Sequence, residues 1–222
     1  VPRAGSTYVS HLLWSSGCLG APLEYLNFEP SGPYGAAHGD PGQQSRLWQQ
    51  ALLRRTSPNG VFGLKTFPGQ LHHVQQHNPA LVDEVVRFLA GPGSSRKVVQ
   101  LRRRDKTAHA ISYARAMLSG IWRKEQEVEG REEPEYSEIA LQRAGKMLDQ
   151  QEEAWEAMYR DIGIVPLVLW FEDVLHRPDT AIAQVGDYLG VVIKQSAAIA
   201  VPAIERQSQA GARAWVEKHA DR

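Results

Sequence analysis

Three apolar runs too short to be helices punctuate this chain, and helix-length amphipathic stretches separate them. The runs are residues 61–66, 97–102 and 164–170, and each is apolar along its length rather than in alternation. Such runs suit strands buried on both faces, as in parallel sheets. Between them, residues 78–90 read as a helix, with Asn78 as cap, Pro79 at its first position, and Leu81, Val85, Phe88 and Leu89 on one stripe. Residues 105–122, 137–160 and 179–189 repeat the helical period, and Ser137 and Gly190 mark a start and a stop. Strands alternating with helices predict an α/β fold with a parallel sheet.

Composition narrows the function classes. The 222 residues fit one domain, residues 1–222. Lys plus Arg equals Asp plus Glu at 25 each, so bulk charge favours neither nucleic acid nor an anionic membrane as partner. Cys18 is the only cysteine, which excludes an intrachain disulfide and fits a reducing, cytoplasmic setting. No apolar run approaches the roughly 20 residues of a membrane span. Two stretches break the α/β pattern. Residues 28–44 are rich in Gly and Pro and read as a surface loop that shapes a pocket. Residues 124–136 carry six Glu and read as a mobile acidic connection, or as a lid.

Val1-Pro2-Arg3-Ala4-Gly5-Ser6-Thr7-Tyr8 has the composition of an anion-cradling turn that enters a helix. Ala4 and Gly5 let backbone N–H groups approach an anion. Ser6 and Thr7 add hydroxyls, Arg3 adds a planar cation, and the helix start adds its dipole. The turn lacks the Gly-Lys-Ser/Thr ending of an ATP-binding loop, which disfavours a kinase. Loops of this type follow a strand, so a short N-terminal strand is expected before Val1. A second such corner lies at residues 100–106, where Arg102, Arg103 and Arg104 close a strand and open a helix. Ser112 follows Arg104 by two helical turns, so both can grip one phosphate. The alternative is a surface ion-pair cluster of the three arginines with Asp105. His73 and His77 have the i, i+4 spacing of a metal pair, but no carboxylate or cysteine accompanies them, so no metal is expected.

Taken in order, these segments resemble the sulfotransferase superfamily. Pro2 to Thr7 resembles its 5′-phosphosulfate loop, and Arg104 with Ser112 resembles its 3′-phosphate element. Phe171-Glu172-Asp173-Val174, Pro178 and Tyr188-Leu189-Gly190 resemble a Tyr-Glu-Asp-Leu…Pro…Phe-Leu-Gly segment. Gly63-Leu64-Lys65-Thr66-Phe67 resembles the strand that elsewhere ends in Lys-Thr-His. Phe67 stands where that His acts as base, and a phenyl ring takes no proton. Arg3, Pro22-Leu23-Glu24-Tyr25, Gly63 to Lys65 and Leu101 to Lys106 are most similar to the trehalose 2-sulfotransferase family.

That resemblance implies a P-loop-like three-layer fold with a central parallel sheet flanked by helices. It implies 3′-phosphoadenosine 5′-phosphosulfate (PAPS) as co-substrate, without a metal. Glu24 would be the base, assisted by Arg3 and Lys65. Arg3, Ala4, Gly5, Ser6, Thr7 and Tyr8 would hold the 5′ end, and Arg104, Ser112 and Arg206 the 3′-phosphate. Apart from the resemblance, Glu172 and Asp173 are expected to cap or brace the segment after the third strand rather than to do chemistry. The acceptor would be a hydroxyl-bearing small molecule or glycolipid, and the protein a homodimer. A binding protein for 3′,5′-adenosine bisphosphate without chemistry is the alternative; a base at Glu24 beside Lys65 and Arg3 argues against it.

Overall fold

The computed structural model describes residues 1–91, 97–127, 132–204 and 210–220. The described chain is α/β, mostly helical, around a small parallel sheet. Its elements are α1 (Ser6–Ser15), α2 (Pro41–Arg55), α3 (Pro68–His77), α4 (Pro79–Ala90), β1 (Val99–Arg102), α5 (Lys106–Ser119), α6 (Glu138–Asp161), β2 (Leu167–Trp170), α7 (Phe171–His176), α8 (Pro178–Leu189) and α9 (Ala210–Ala220).

Two of the three expected strands form. β1 and β2 pair in parallel, from Val99 opposite Leu167 to Arg102 opposite Trp170. Their connection runs through α5 and α6, the long crossover that a parallel pair requires. The third run, residues 61–66, differs from expectation. Among the described residues it makes one parallel bridge, Leu64 opposite Leu23, and no continuous strand. Gly63 lies against Pro22, where a Cβ would collide, and Gly20 lies equally close to residues 61–63, so the two segments meet through glycines rather than through a ladder.

Local signals set the helix ends. Asn78 accepts from Leu81 N, Asp105 from Ala108 N and Ser137 from Ala140 N, each satisfying an otherwise orphaned donor. Gly120 and Gly190, both at φ 70°, stop α5 and α8 in the left-handed conformation. The stop at Gly120 ends α5 before Trp122, short of the expected helix. α2 begins inside the stretch expected to be loop. Asp40 caps it through Gln43 N, and Pro41 occupies its first turn. Nor is residues 28–44 wholly a surface segment, because Phe28, Ala37 and Gln44 are buried.

Three cores result. Trp48, Tyr25, Phe28, Val74, Leu81 and Val85 form one, and its fully buried Trp48 alone contributes about 2–3 kcal/mol by area. Val9 and Leu13 of α1 pack with Leu169, Val174, Ala181 and Val185 in the second, which fixes α1 beside β2. Ile111, Ala114, Leu141, Ala144, Leu148 and Trp215 join α5, α6 and α9 in the third. Within the acidic stretch, Glu133 and Pro134 are tied to the helices of this third core. Glu133 takes both Arg115 Nη2 contacts at 2.8 Å, and Pro134 O accepts from Trp215 Nε1 at 3.0 Å. Among the described residues no helix is long and apolar enough to cross a membrane.

Candidate active site

The loop before α1 is held in an unusual backbone shape. Arg3 is the only non-glycine at positive φ among the described residues (62°), and Gly5 follows at 83°. Gly5 is needed twice over, because a Cβ at that position would also collide with the Phe171 ring. Ala4 is fully buried. No side chain caps α1, unlike α2, α4, α5 and α6. Its first turn, Ser6 and Thr7, therefore presents a positive dipole end without a carboxylate of its own. Tyr8 packs into the second core.

α5 clamps this loop from one side. His109 is fully buried, and its Nε2 lies 2.8 Å from Pro2 O. A carbonyl only accepts, so Nε2 carries the proton and donates. Burial, with the Arg103 charge nearby, pushes the imidazole down to about 4 despite that bond, so it is neutral. One turn on, Ser112 Oγ accepts from Arg3 Nε at 3.0 Å. Arg3 Nη1 donates to Trp122 O at 2.7 Å, and Arg103 Nη1 to Arg3 O at 3.4 Å. Burial and the neighbouring Arg115 and Arg103 lower Arg3 to about 10, which still leaves it charged near neutrality.

On the other side the Leu23–Leu64 bridge sets Glu24 beside Lys65, with Lys65 N donating to Leu23 O at 3.1 Å. Lys65 Nζ lies 2.8 Å from Glu24 Oε1 and donates to Thr7 Oγ1 at 3.2 Å. The cation thus joins the carboxylate to the first turn of α1. Glu24 Oε2 accepts from Asn27 Nδ2 at 2.8 Å and Gln70 Nε2 at 2.9 Å. Burial pushes the Glu24 carboxyl up, but Lys65 and the two amide donors outweigh it and hold it below the ordinary value of 4.5. Glu24 is therefore ionised at neutral pH and able to accept a proton.

The arginine corner is arranged differently. Arg104 makes a bidentate pair with Asp173 at 2.7 Å on both arms, half-exposed, with its guanidinium 4.9 Å from the Trp170 ring centroid. Arg104 N and Asp105 N donate to Glu172. Glu172 and Asp173 thus brace the ends of β1 and β2. Arg102 pairs with Glu152 and Glu156, while Arg103 lies 3.9 Å from Glu172 and over the Phe171 ring. Asp105 is engaged as the α5 cap. Arg104 faces Asp173 and Ser112 faces Arg3, so the pair read together in the sequence meets different partners. Arg206 lies outside the described residues.

His109, Asn27 and Gln70 escaped the sequence reading. His109 precedes Ser112 by three on one helix face, which is a visible signal. Gln70 had none beyond its place three residues after Phe67. His73 stacks on His38 and lies tilted against His77, with centroids 5.7 and 4.3 Å apart. Among the described residues no group of three or more His, Cys, Asp or Glu is arranged to hold a metal ion.

A family model described as Stf0 sulphotransferase matches residues 1–221. A trehalose 2-sulfotransferase of Mycobacterium tuberculosis is 29% identical, over 98% of this chain and 91% of its own. Another trehalose 2-sulfotransferase, from Mycolicibacterium smegmatis, is 25% identical over the same shares. With that family model spanning nearly every residue, this chain belongs to the Stf0 sulphotransferase family.

Proposed function

We propose that this protein transfers the sulfuryl group of PAPS to a hydroxyl of a carbohydrate, with Glu24 as general base. Trehalose, or a carbohydrate like it, is the acceptor, following the relatives' names. The observation that carries this reading is the continuous link from Glu24 through Lys65 to Thr7, 2.8 and 3.2 Å long. It sets a proton acceptor, a cation and an uncapped helix start within a few ångströms of each other.

The residues present fit an anionic donor. The uncapped α1 start, the left-handed turn at Arg3 and Gly5, and the Lys65 cation form a cradle for phosphate and sulfuryl oxygens. The donor supplies an activated sulfuryl group whose bridging bond to phosphate breaks as the acceptor oxygen bonds to sulfur, the electron pair leaving with the phosphate. Glu24 takes the hydroxyl proton. Lys65 and Arg3 neutralise charge on the transferring group and the departing phosphate, as in phosphoryl transfer. Ala4, Gly5, Ser6, Thr7 and Tyr8 hold the 5′ end through backbone N–H and hydroxyl groups. Arg104, Ser112 and Arg206 hold the 3′-phosphate, Arg104 exchanging Asp173 for it. The protein acts in the cytoplasm as a homodimer, on a P-loop-like three-layer frame.

Calorimetric titration with 3′-phosphoadenosine 5′-phosphate, against ATP and 5′-AMP, tests the donor. Tight binding of the bisphosphate alone is expected; equal binding of 5′-AMP removes the roles given to Arg104, Ser112 and Arg206. Glu24→Gln is expected to keep that binding and to lower turnover about 10²- to 10⁴-fold.

A further inference from the structure

The carboxylate of Glu24 is unevenly occupied. An ionised carboxylate offers about four lone-pair positions, two on each oxygen. Oε2 takes two amide donors, Asn27 Nδ2 at 2.8 Å and Gln70 Nε2 at 2.9 Å. Oε1 takes Lys65 Nζ at 2.8 Å. One oxygen is thus filled, and the other, the one that meets Lys65, keeps a lone pair.

The two amides are fixed by their surroundings. Gln70 sits in the first turn of α3 and is 6% exposed. Thr66 Oγ1 donates to Gln70 Oε1 at 3.4 Å, which aims the NH₂ end at Glu24. The reverse orientation would set an acceptor against an acceptor. Asn27 keeps its NH₂ on Glu24 although its own Oδ1 is buried without a hydrogen-bond partner. Gly32 packs against that oxygen, where any Cβ would collide. A buried amide half-satisfied in this way is costly, and its retention points to an orienting role.

We infer that Gln70, with Asn27, is a positioning residue that locks the Glu24 carboxylate by Oε2, leaving Oε1 as the atom that receives the acceptor's proton. The acceptor hydroxyl then donates to Oε1 and its oxygen meets the sulfuryl group beside Lys65 and Thr7. Both amides stay outside the chemistry. Lys65 is the charged side chain facing Glu24, so the amides act on orientation and on carboxylate basicity together. This inference rests on the reading of Glu24 as the base.

Gln70→Met keeps the length of the side chain and removes its donor. With trehalose and PAPS, kcat is expected to fall roughly ten- to hundredfold, with KM for PAPS and bisphosphate binding unchanged. The acidic limb of the pH–rate profile should move to higher pH. In the Glu24→Gln background the same substitution should cause no further loss. A loss of equal size in that background, or a parallel loss of bisphosphate binding, overturns the inference. A second readout needs neither turnover nor a variant at position 70. Carboxyl ¹³C titration of ¹³C-Glu-labelled protein, with the Glu24 signal assigned by its absence in Glu24→Gln, should place Glu24 below the ordinary Glu range. A midpoint at or above that range overturns the clamp. Wild-type protein that gives no sulfated sugar while its Glu24 titrates low refutes the sulfotransferase reading instead, and with it the proton-accepting role of Oε1.

Discussion

Two clusters of charge stand in this molecule, and they behave oppositely. At the α1 loop, Lys65 divides its contacts between Glu24 and Thr7, and the carboxylate and amine are 22% and 11% exposed. At the start of α5, Arg104 is matched to Asp173 on both arms, and each partner is about half exposed. The first cluster is enclosed, so every charge there is felt strongly by its neighbours. The second is open, and water screens it. Similar residue types thus give an enclosed carboxylate–amine pair in one place and an open brace in the other.

Lys65→Met should disturb the enclosed cluster most. It removes the cation facing both Glu24 and the anion loop, and turnover should fall about 10²- to 10³-fold. Glu24 loses the main group that lowers its pKa, so the acidic limb of activity should move to higher pH. Steady-state kinetics across pH checks both effects. An unmoved acidic limb would separate Lys65 from the base and erase the contrast with Arg104.

His109 sharpens the comparison through stability. Its native pKa near 4 lies below the ordinary 6.5. The unfolded chain therefore binds more protons between those values. Stability from this group is full above pH 6.5, falls as pH drops, and is lost once pH passes the native value near 4. The loss should be about 3 kcal/mol by the size of the shift. Denaturant unfolding of His109→Gln, which keeps a donor for Pro2 O, should show a flatter profile between pH 6.5 and 4. A profile as steep as that of the wild type would mean that other groups carry the dependence.

The smallest effect is expected at the open cluster. Asp173→Asn removes the charge opposite Arg104, yet Tm should not change measurably. Bisphosphate affinity should hold or rise, because Arg104 is released for the 3′-phosphate. A clear drop in affinity would make Asp173 an orienting partner of Arg104, and the two clusters would then be alike.

Local rules made much of the fold readable. β1, β2, α4, α5, α6 and α8 followed from continuous apolar runs, a 3.6-residue period and the caps at Asn78, Ser137 and Gly190. Those signals act within a few residues of chain. The amphipathic pattern of α2 was weak, and its start at Asp40-Pro41 lay in a Gly- and Pro-rich stretch that masked it. The strand expected over 61–66 became one bridge because close approach at Gly63 and Pro22 is a tertiary fact. In the candidate site, the loop of Arg3 to Thr7 was visible along the chain, while Glu24 and Lys65 were singled out only through the family resemblance. Their joining was not visible, since it depends on a contact between residues 23 and 64.

The sequence by itself determined α4, α5, α6, α8, the two paired strands and the composition of the loop before α1, because propensity, capping and apolar periodicity are local. Only the tertiary structure decided which charges share an enclosed space. It turned Ser112 toward Arg3, gave Arg104 to Asp173, buried His109 beneath Pro2, and brought Gln70 and Asn27 onto one oxygen of Glu24. Hydrogen bonds and charge interactions act through space over a few ångströms, and separation along the chain carries no record of that distance.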